Sequence, residues 1–371
     1  MTRESSMDID NVSTDFISEN GTVFEWATIL STTATSPAAS ADGDSIPFAH
    51  RLVVGVCCCL ITITGLLGNA LVIVSVLRFK KLQTITNILV FNLAIADFMT
   101  CLFLPFSVIG LVDDSGEYPL PDLVCTITTG VTFTCLAVSI STLAFIAAVR
   151  WYVITKSVRG TGGIYTSRNI ISMVLVIWVA CICIVTIPLL LGVGELGYSR
   201  YYSLCSVTDT NPLRGVYVLM QSSFIIIVLI VTCIFYVLIV AYVLRENRKL
   251  RSQFSADIVS SGGTKVKTTN ENNMTASLNK REVEITKNLF IVVCVFAICM
   301  VPNGVNFLIE GTSVSTLYGA MISTANSVVN PIIYGLKHPN FQEAFKNIIC
   351  FRTRDTRAHT STGKSSSTAL D

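Results

Sequence analysis

Charge is what this sequence has least of: only 13% of its 371 residues are Asp, Glu, Lys or Arg, where ordinary soluble domains carry about 25%. A soluble enzyme is excluded on that ground. Histidine is scarcer still, with His50, His338 and His359 all outside the long apolar stretches. A hydrolytic centre at membrane depth therefore lacks its acid–base set, since Asp97 is the single acid within an apolar stretch. No duplicated halves with interrupted helices are present, as an alternating-access transporter would require. The net charge of +2 is spread through short loops, so nothing in it points to nucleic acid.

Apolar residues are what the chain has in excess, at 51%. Uncharged stretches cover 52–77, 123–149, 169–194, 215–244, 288–309 and 311–336, and a seventh, 82–112, is broken only by Asp97. Each exceeds the ~20 residues that carry a helix across a bilayer. The expected fold is an all-α membrane protein with a seven-helix bundle over 51–336. Residues 1–50, with eight acids against Arg3, are too polar for a core and are expected to be a disordered extracellular segment. The loop 250–280 reads as a flexible linker. After the last stretch, Phe341, Phe345, Ile348 and Ile349 share one helical face, which predicts a short amphipathic helix on the membrane surface over 337–350. A disordered tail follows over 351–371.

Sidedness comes from the basic residues. Alternate gaps between the stretches hold 22 of the 26 Lys and Arg, leaving Arg3, Arg51, Arg200 and Arg214 on the other side. Basic loops stay in the cytoplasm, so the N-terminus is expected outside and the C-terminus inside, at the plasma membrane. Asn11 and Asn20 sit in sequons on the outer side and are expected to be glycosylated, whereas the sequon at Asn273 is expected to stay bare. No basic-then-apolar leader opens the chain, so no cleaved signal peptide is expected.

Eleven of the thirteen cysteines fall within the apolar stretches, and ten of these, all but Cys125 at the outer edge of its stretch, read as small buried residues. Cys125 and Cys205 lie at outer positions in an oxidising compartment, and a disulfide between them is expected to tie the outer loop over the bundle. Cys350, just beyond the amphipathic helix, suits palmitoylation, the alternative being an idle thiol.

Polar groups at membrane depth are costly and mark the bundle interior. Asp97, with Asn69, Ser139, Asn326, Ser327 and Asn330 at comparable depth, reads either as a hydrogen-bonded network or as a small-cation site suited to sodium. Apart from that ion, no cofactor is expected.

Gly68-Asn69, Leu93-Ala-Ile-Ala-Asp97, Cys125, Arg150, Trp178, Phe296-x-x-Cys299-x-x-Pro302 and Asn330-Pro331-Ile332-Ile333-Tyr334 together resemble the rhodopsin-like (class A) G-protein-coupled receptors. Within that class, Phe-Ala-Ile-Cys before Pro302 and Ile-Ile-Tyr-Gly-Leu before Asn340-Phe341 are similar to melatonin receptors and their invertebrate orphan relatives. The resemblance implies a heterotrimeric G protein as partner, with receptor kinases and arrestin acting on the Ser and Thr of 360–368. It also implies a switch built from Arg150, Tyr236, Phe296, Met300, Pro302, Asn330, Pro331 and Tyr334, with the two prolines as bends. A membrane transporter, or another non-signalling seven-helix protein, is the alternative.

Departures from the family pattern carry information. Val149 stands where an acid usually flanks the Arg, leaving Glu282 as its expected remaining partner, and Met300 replaces the usual tryptophan. Thr132 occupies the position of the carboxylate in aminergic relatives. With no Lys in 311–336, retinal cannot be held as a Schiff base. An unidentified small amphipathic or lipid-like ligand, held by neutral hydrogen bonds, is expected to meet Thr132, Phe133, Gln221, Asn303, Asn306 and Tyr318.

Overall fold

The structure, a computed structural model, describes residues 46–113, 115–156, 166–260, 290–291, 293–304, 306 and 312–350. Asn11, Asn20, Glu282 and the tail beyond Cys350 lie outside those residues. In chain order the helices are α1 (Phe48–Arg78), α2 (Ile85–Val112), α3 (Asp122–Lys156) and α4 (Ser167–Leu190). A hairpin of β1 (Leu196–Ser199) and β2 (Leu204–Val207) precedes α5 (Arg214–Ser260). Then come α6 (Val293–Gly304), α7 (Ser313–Lys337) and α8 (Pro339–Ile349). Helices α1 to α5 are each long and apolar enough to cross a membrane.

Local chemistry sets the helix starts. Thr84, Thr166 and Thr312 accept the backbone N–H three residues on, at 3.3, 3.3 and 3.2 Å, which satisfies an otherwise orphaned donor. Pro339 opens α8, where its missing N–H costs nothing. Packing then closes the bundle around α3. Leu93 of α2, Ile140 and Ile146 of α3, Ile239 of α5 and Phe296 of α6 are all at most 1% exposed within one apolar cluster. Outward-facing leucines and valines, such as Leu175 and Val179 on α4, remain exposed, as expected where the surrounding solvent is lipid.

Buried polar groups tie helices together. Trp178 Nε1 donates to Asn92 Oδ1 at 2.8 Å, and Asn92 Nδ2 donates to Thr142 Oγ1 at 2.8 Å, so one node joins α4, α2 and α3. Trp178→Phe is expected to leave the Asn92 oxygen without a donor, at a cost of about 1–3 kcal/mol. Thermal unfolding of purified protein checks this; an unchanged midpoint would mean that the node contributes nothing.

Proline sites show the same economy. Pro331 cannot donate to the carbonyl of Ser327, four residues earlier, and Asn69 Nδ2 of α1 donates to that oxygen at 2.9 Å. Pro188 likewise frees the carbonyl of Ile184, which accepts from Gln221 Nε2 of α5 at 3.2 Å. Gly68 allows the α1–α7 approach, since a Cβ there would stand 2.9 Å from Pro331 Cβ.

Three features differ from the expectations. Ile46 is already 4% exposed and α1 begins at Phe48, so the bundle starts before 51. Helix α5 runs on to Ser260, correcting the linker expected from 250. Its extension is rich in helix-favouring Arg, Lys and Glu, is supported by a Glu246–Lys249 pair at 3.6 Å, and meets no Gly before 262. On α8, Phe341 stacks on Tyr334 at 5.4 Å and is buried by protein, while Ile349 is 65% exposed. The expected face is thus split between bundle and surroundings.

Candidate ligand cavity and switch core

A cavity of about 290 Å³ opens inside the bundle beneath the hairpin. The Cys125–Cys205 disulfide fastens β2 to the start of α3, with the two Cα atoms 5.2 Å apart, so the hairpin forms the roof. Tyr202, Leu204 and Val207 line it from above, Thr128, Thr132 and Phe133 from α3, and Asp97, Ser139 and Ser327 from the floor. Beside the roof, Arg214 is paired to Asp209 at 2.8 Å and donates to the Tyr202 hydroxyl at 3.0 Å. Burial holds the Tyr202 phenol above its ordinary range even with Arg214 near it.

Four of the six expected ligand residues line this cavity: Thr132, Phe133, Gln221 and Asn303. The hydroxyl of Thr132 is spent on the Thr128 carbonyl at 2.7 Å, and the Gln221 amide N–H on Ile184. Asn306 and Tyr318 are corrections, because neither lines the cavity. Asn306 Nδ2 donates to the Ser315 carbonyl at 3.0 Å, and the Tyr318 hydroxyl pairs with His50 Nδ1 at 3.1 Å. Both serve as ties between helices near the hairpin end. Sequence fixes their depth along a helix but not the rotation that points each side chain. Thr128 and Tyr202 were missed; the position of Tyr202 three residues before Cys205 was the available signal.

At the cavity floor Asp97, 1% exposed, collects three donors. Ser139 Oγ and Ser327 Oγ donate to Oδ1 at 3.1 and 3.2 Å, and Asn330 Nδ2 donates to Oδ2 at 2.7 Å. The carboxylate so links α2, α3 and α7. Asn326 is also buried but makes no hydrogen bond to Asp97. The Asn330 Oδ1 atom is buried without a hydrogen-bond partner, and it faces the same problem of satisfaction that a cation or water resolves.

Toward the far end, Phe296 is fully buried and Met300 is 5% exposed, both against α3 and α5. Tyr236 packs on Phe290 at 5.4 Å, and the Tyr334 hydroxyl is buried without a hydrogen-bond partner. Val149 is 7% exposed within the apolar cluster that also holds Ile170. Trp151 meets Phe235 at 6.1 Å. Apolar packing therefore occupies the place where the family pattern has an acid.

The family model described as 7 transmembrane receptor (rhodopsin family) matches residues 68–334. The chain belongs to this family. The receptor is thus a multi-pass membrane protein of the class A G-protein-coupled receptors, and the transporter reading is set aside. Among its relatives are a GQ-coupled rhodopsin of Mizuhopecten yessoensis, 26% identical over 302 residues, and somatostatin receptor type 1 of Rattus norvegicus, 26% identical over 310 residues. The first alignment covers 79% of the receptor and 58% of that rhodopsin, the second 81% and 72%. The receptor therefore spans less than two thirds of the rhodopsin's length. An alpha-1A adrenergic receptor of Rattus norvegicus is 27% identical over 347 residues, covering 85% of the receptor and 72% of the relative. The fold matches the crystal structure of squid rhodopsin with a TM-score of 0.71 at 20% identity, covering 84% of the receptor and 88% of that chain.

Proposed function

We propose that the receptor sits in the plasma membrane with its hairpin end outside, binds a small neutral ligand in the cavity, and activates a heterotrimeric G protein at the opposite end. The observation that carries this reading is the continuity of the cavity floor with the Asp97–Asn330 contact, which adjoins Pro331 and Tyr334. A ligand that fits one helix arrangement better favours it, and a G protein that fits the same arrangement raises ligand affinity in return. The cavity wall offers a cationic amine no carboxylate at Thr132, and α7 offers retinal no Lys before its terminal Lys337. Asn303 brings a neutral amide to the lining instead. The direct test is guanine-nucleotide exchange on purified G-protein subtypes with reconstituted receptor; no acceleration on any subtype, with or without ligands, overturns the reading.

Basal exchange is part of the proposal. Val149 supplies no charge-assisted contact to hold Arg150, an interaction worth about 1.5–3 kcal/mol when present, so resting activity is raised. Val149→Asp is expected to lower basal exchange per surface receptor several-fold, and Glu282→Ala to raise it. Unchanged exchange in the first and reduced exchange in the second would refute the lock. The carboxylate and hydroxyls around Asp97, with the orphaned Asn330 oxygen, fit a sodium ion in donor chemistry. Receptor kinases and arrestin act on the Ser and Thr of 360–368: truncation after Phe351 is expected to abolish arrestin recruitment, and retained recruitment would refute this. Palmitate on Cys350 would hold α8 against the bilayer.

A further inference from the structure

The polar part of the cavity wall is one-sided in its hydrogen bonding. Five lining hydroxyls return their proton to a carbonyl of their own helix: Thr100 to Ala96 at 3.1 Å, Thr129 to Cys125 at 3.0 Å, Thr132 to Thr128 at 2.7 Å, Ser323 to Ala320 at 2.8 Å and Thr324 to Met321 at 2.8 Å. Ser139 and Ser327 give theirs to Asp97. A hydroxyl has one proton and two lone pairs. A group bonded in this way meets a ligand as an acceptor, because donating to the ligand would first break the bond to the helix.

Two lining groups of this kind are half-buried and stand on helices that pack against each other, Thr132 on α3 and Gln221 on α5. Gln221 reaches the same state by a different route. Its amide N–H donates to the Ile184 carbonyl at 3.2 Å, and its amide also faces the Tyr217 phenol oxygen, whose own proton goes to the Val185 carbonyl at 3.2 Å. What Gln221 has left to offer is Oε1. Phe133, Val207 and Tyr217 of the lining pack together in one apolar cluster on this side of the cavity. Fixed donors are scarcer. Asn303 turns its oxygen onto α7, 3.3 Å from where a Cβ on Gly319 would stand, and Tyr202 turns its hydroxyl to Arg214. The hydroxyls of Ser107, Ser206, Ser222 and Thr316 serve in either role. Among the described lining residues Asp97 is the one charged group, and three donors already hold it, so a charged ligand would be desolvated without a free counter-charge.

We propose that the ligand carries an uncharged O–H or N–H donor on an apolar body and that this donor is read by Thr132 Oγ1 and Gln221 Oε1, across α3 and α5. This rests on the receptor reading of the cavity and names its ligand class.

The test uses full-length receptor in lipid nanodiscs and two pairs of bicyclic probes, 2-naphthol with 2-methoxynaphthalene and indole with 1-methylindole. Each pair keeps one body and differs in the donor, and the two pairs separate O–H from N–H. Affinity is read from the rise of the unfolding midpoint with probe concentration. In wild type at least one donor probe is expected to bind about tenfold tighter than its methylated counterpart, the usual size of one hydrogen bond lost. Thr132→Val keeps the shape and removes the oxygen, and is expected to bring that pair to within about twofold. Thr132→Ser keeps the oxygen and should restore the preference; Gln221→Met, which keeps the length, should narrow it. Equal affinities within both pairs in wild type, or a preference left unchanged in both Thr132→Val and Gln221→Met, overturns the proposal. So does tighter binding of the cationic 2-naphthylmethylamine than of 2-naphthol, or no binding by any probe. Nucleotide exchange is read separately. Exchange driven equally by donor and methylated probes would remove the donor rule and leave the receptor reading intact. A donor preference that depends on Thr132, without exchange on any G protein, would do the reverse.

Discussion

Cys205→Ser or Cys125→Ser is expected to remove most of the receptor from the cell surface. The bond spans a sequence separation of 80 residues, and in the chain-entropy account closing a loop of that length restricts the unfolded chain by about 4–5 kcal/mol. More than that constraint is at stake. The two-stranded hairpin has only the register Leu196↔Val207 to Ser199↔Leu204, and a ribbon of that size is marginal by itself. Without the bond its buried residues Leu196 and Val207, and Tyr217 of α5 against them, lose the anchor that presses them into the bundle mouth. Flow cytometry of an N-terminal tag, with total receptor measured by blot, reads the loss. Surface levels near wild type for both variants, or both cysteines found as free thiols by peptide mapping, would refute it.

Asp97→Leu is expected to have the second large effect. Ser139, Ser327 and Asn330 would each be left buried with an unmet donor, at about 1–3 kcal/mol apiece, offset in part because a buried carboxylate is itself costly to hold. A fall in the unfolding midpoint is expected, read in detergent with a thiol-reactive dye or tryptophan fluorescence. Asp97→Asn separates the ion from the network. It keeps the size of the side chain but loses the charge, so any stabilisation by sodium over choline in wild type should vanish in this variant. A sodium effect of equal size in wild type and Asp97→Asn would remove the cation site, while no loss of stability in Asp97→Leu would remove the network.

Much of the bundle is legible in the sequence because its physics is local and additive. A run without charge is long enough to span or it is not, and Asp97 in such a run must find partners. The partners were readable as a group of oxygens at one depth, yet which of them point inward depends on helix rotation, so Ser139, Ser327 and Asn330 reach the carboxylate and Asn326 does not. The same limit separates Asn303, in the cavity, from Asn306 three residues on. The hairpin was not legible, because four-residue strands such as Leu196–Ser199 carry too little alternation to stand out from a loop. Nor was the use of Asn69 and Gln221 to meet carbonyls freed by Pro331 and Pro188, since each pairing joins different helices and appears only once they are packed.

The continuation of α5 past its membrane span has a mechanical meaning. From Glu246, where the apolar segment ends, to Ser260 the helix adds fourteen residues, or about 21 Å at 1.5 Å per residue. A rod of that length pivoting at the membrane edge converts a tilt of about 10° into a sweep of about 4 Å at its tip. A shift too small to register among packed side chains around Phe296 would then arrive at the far end as a displacement the size of a residue. The arm also fixes a direction, because a continuous helix bends far less readily than a loop.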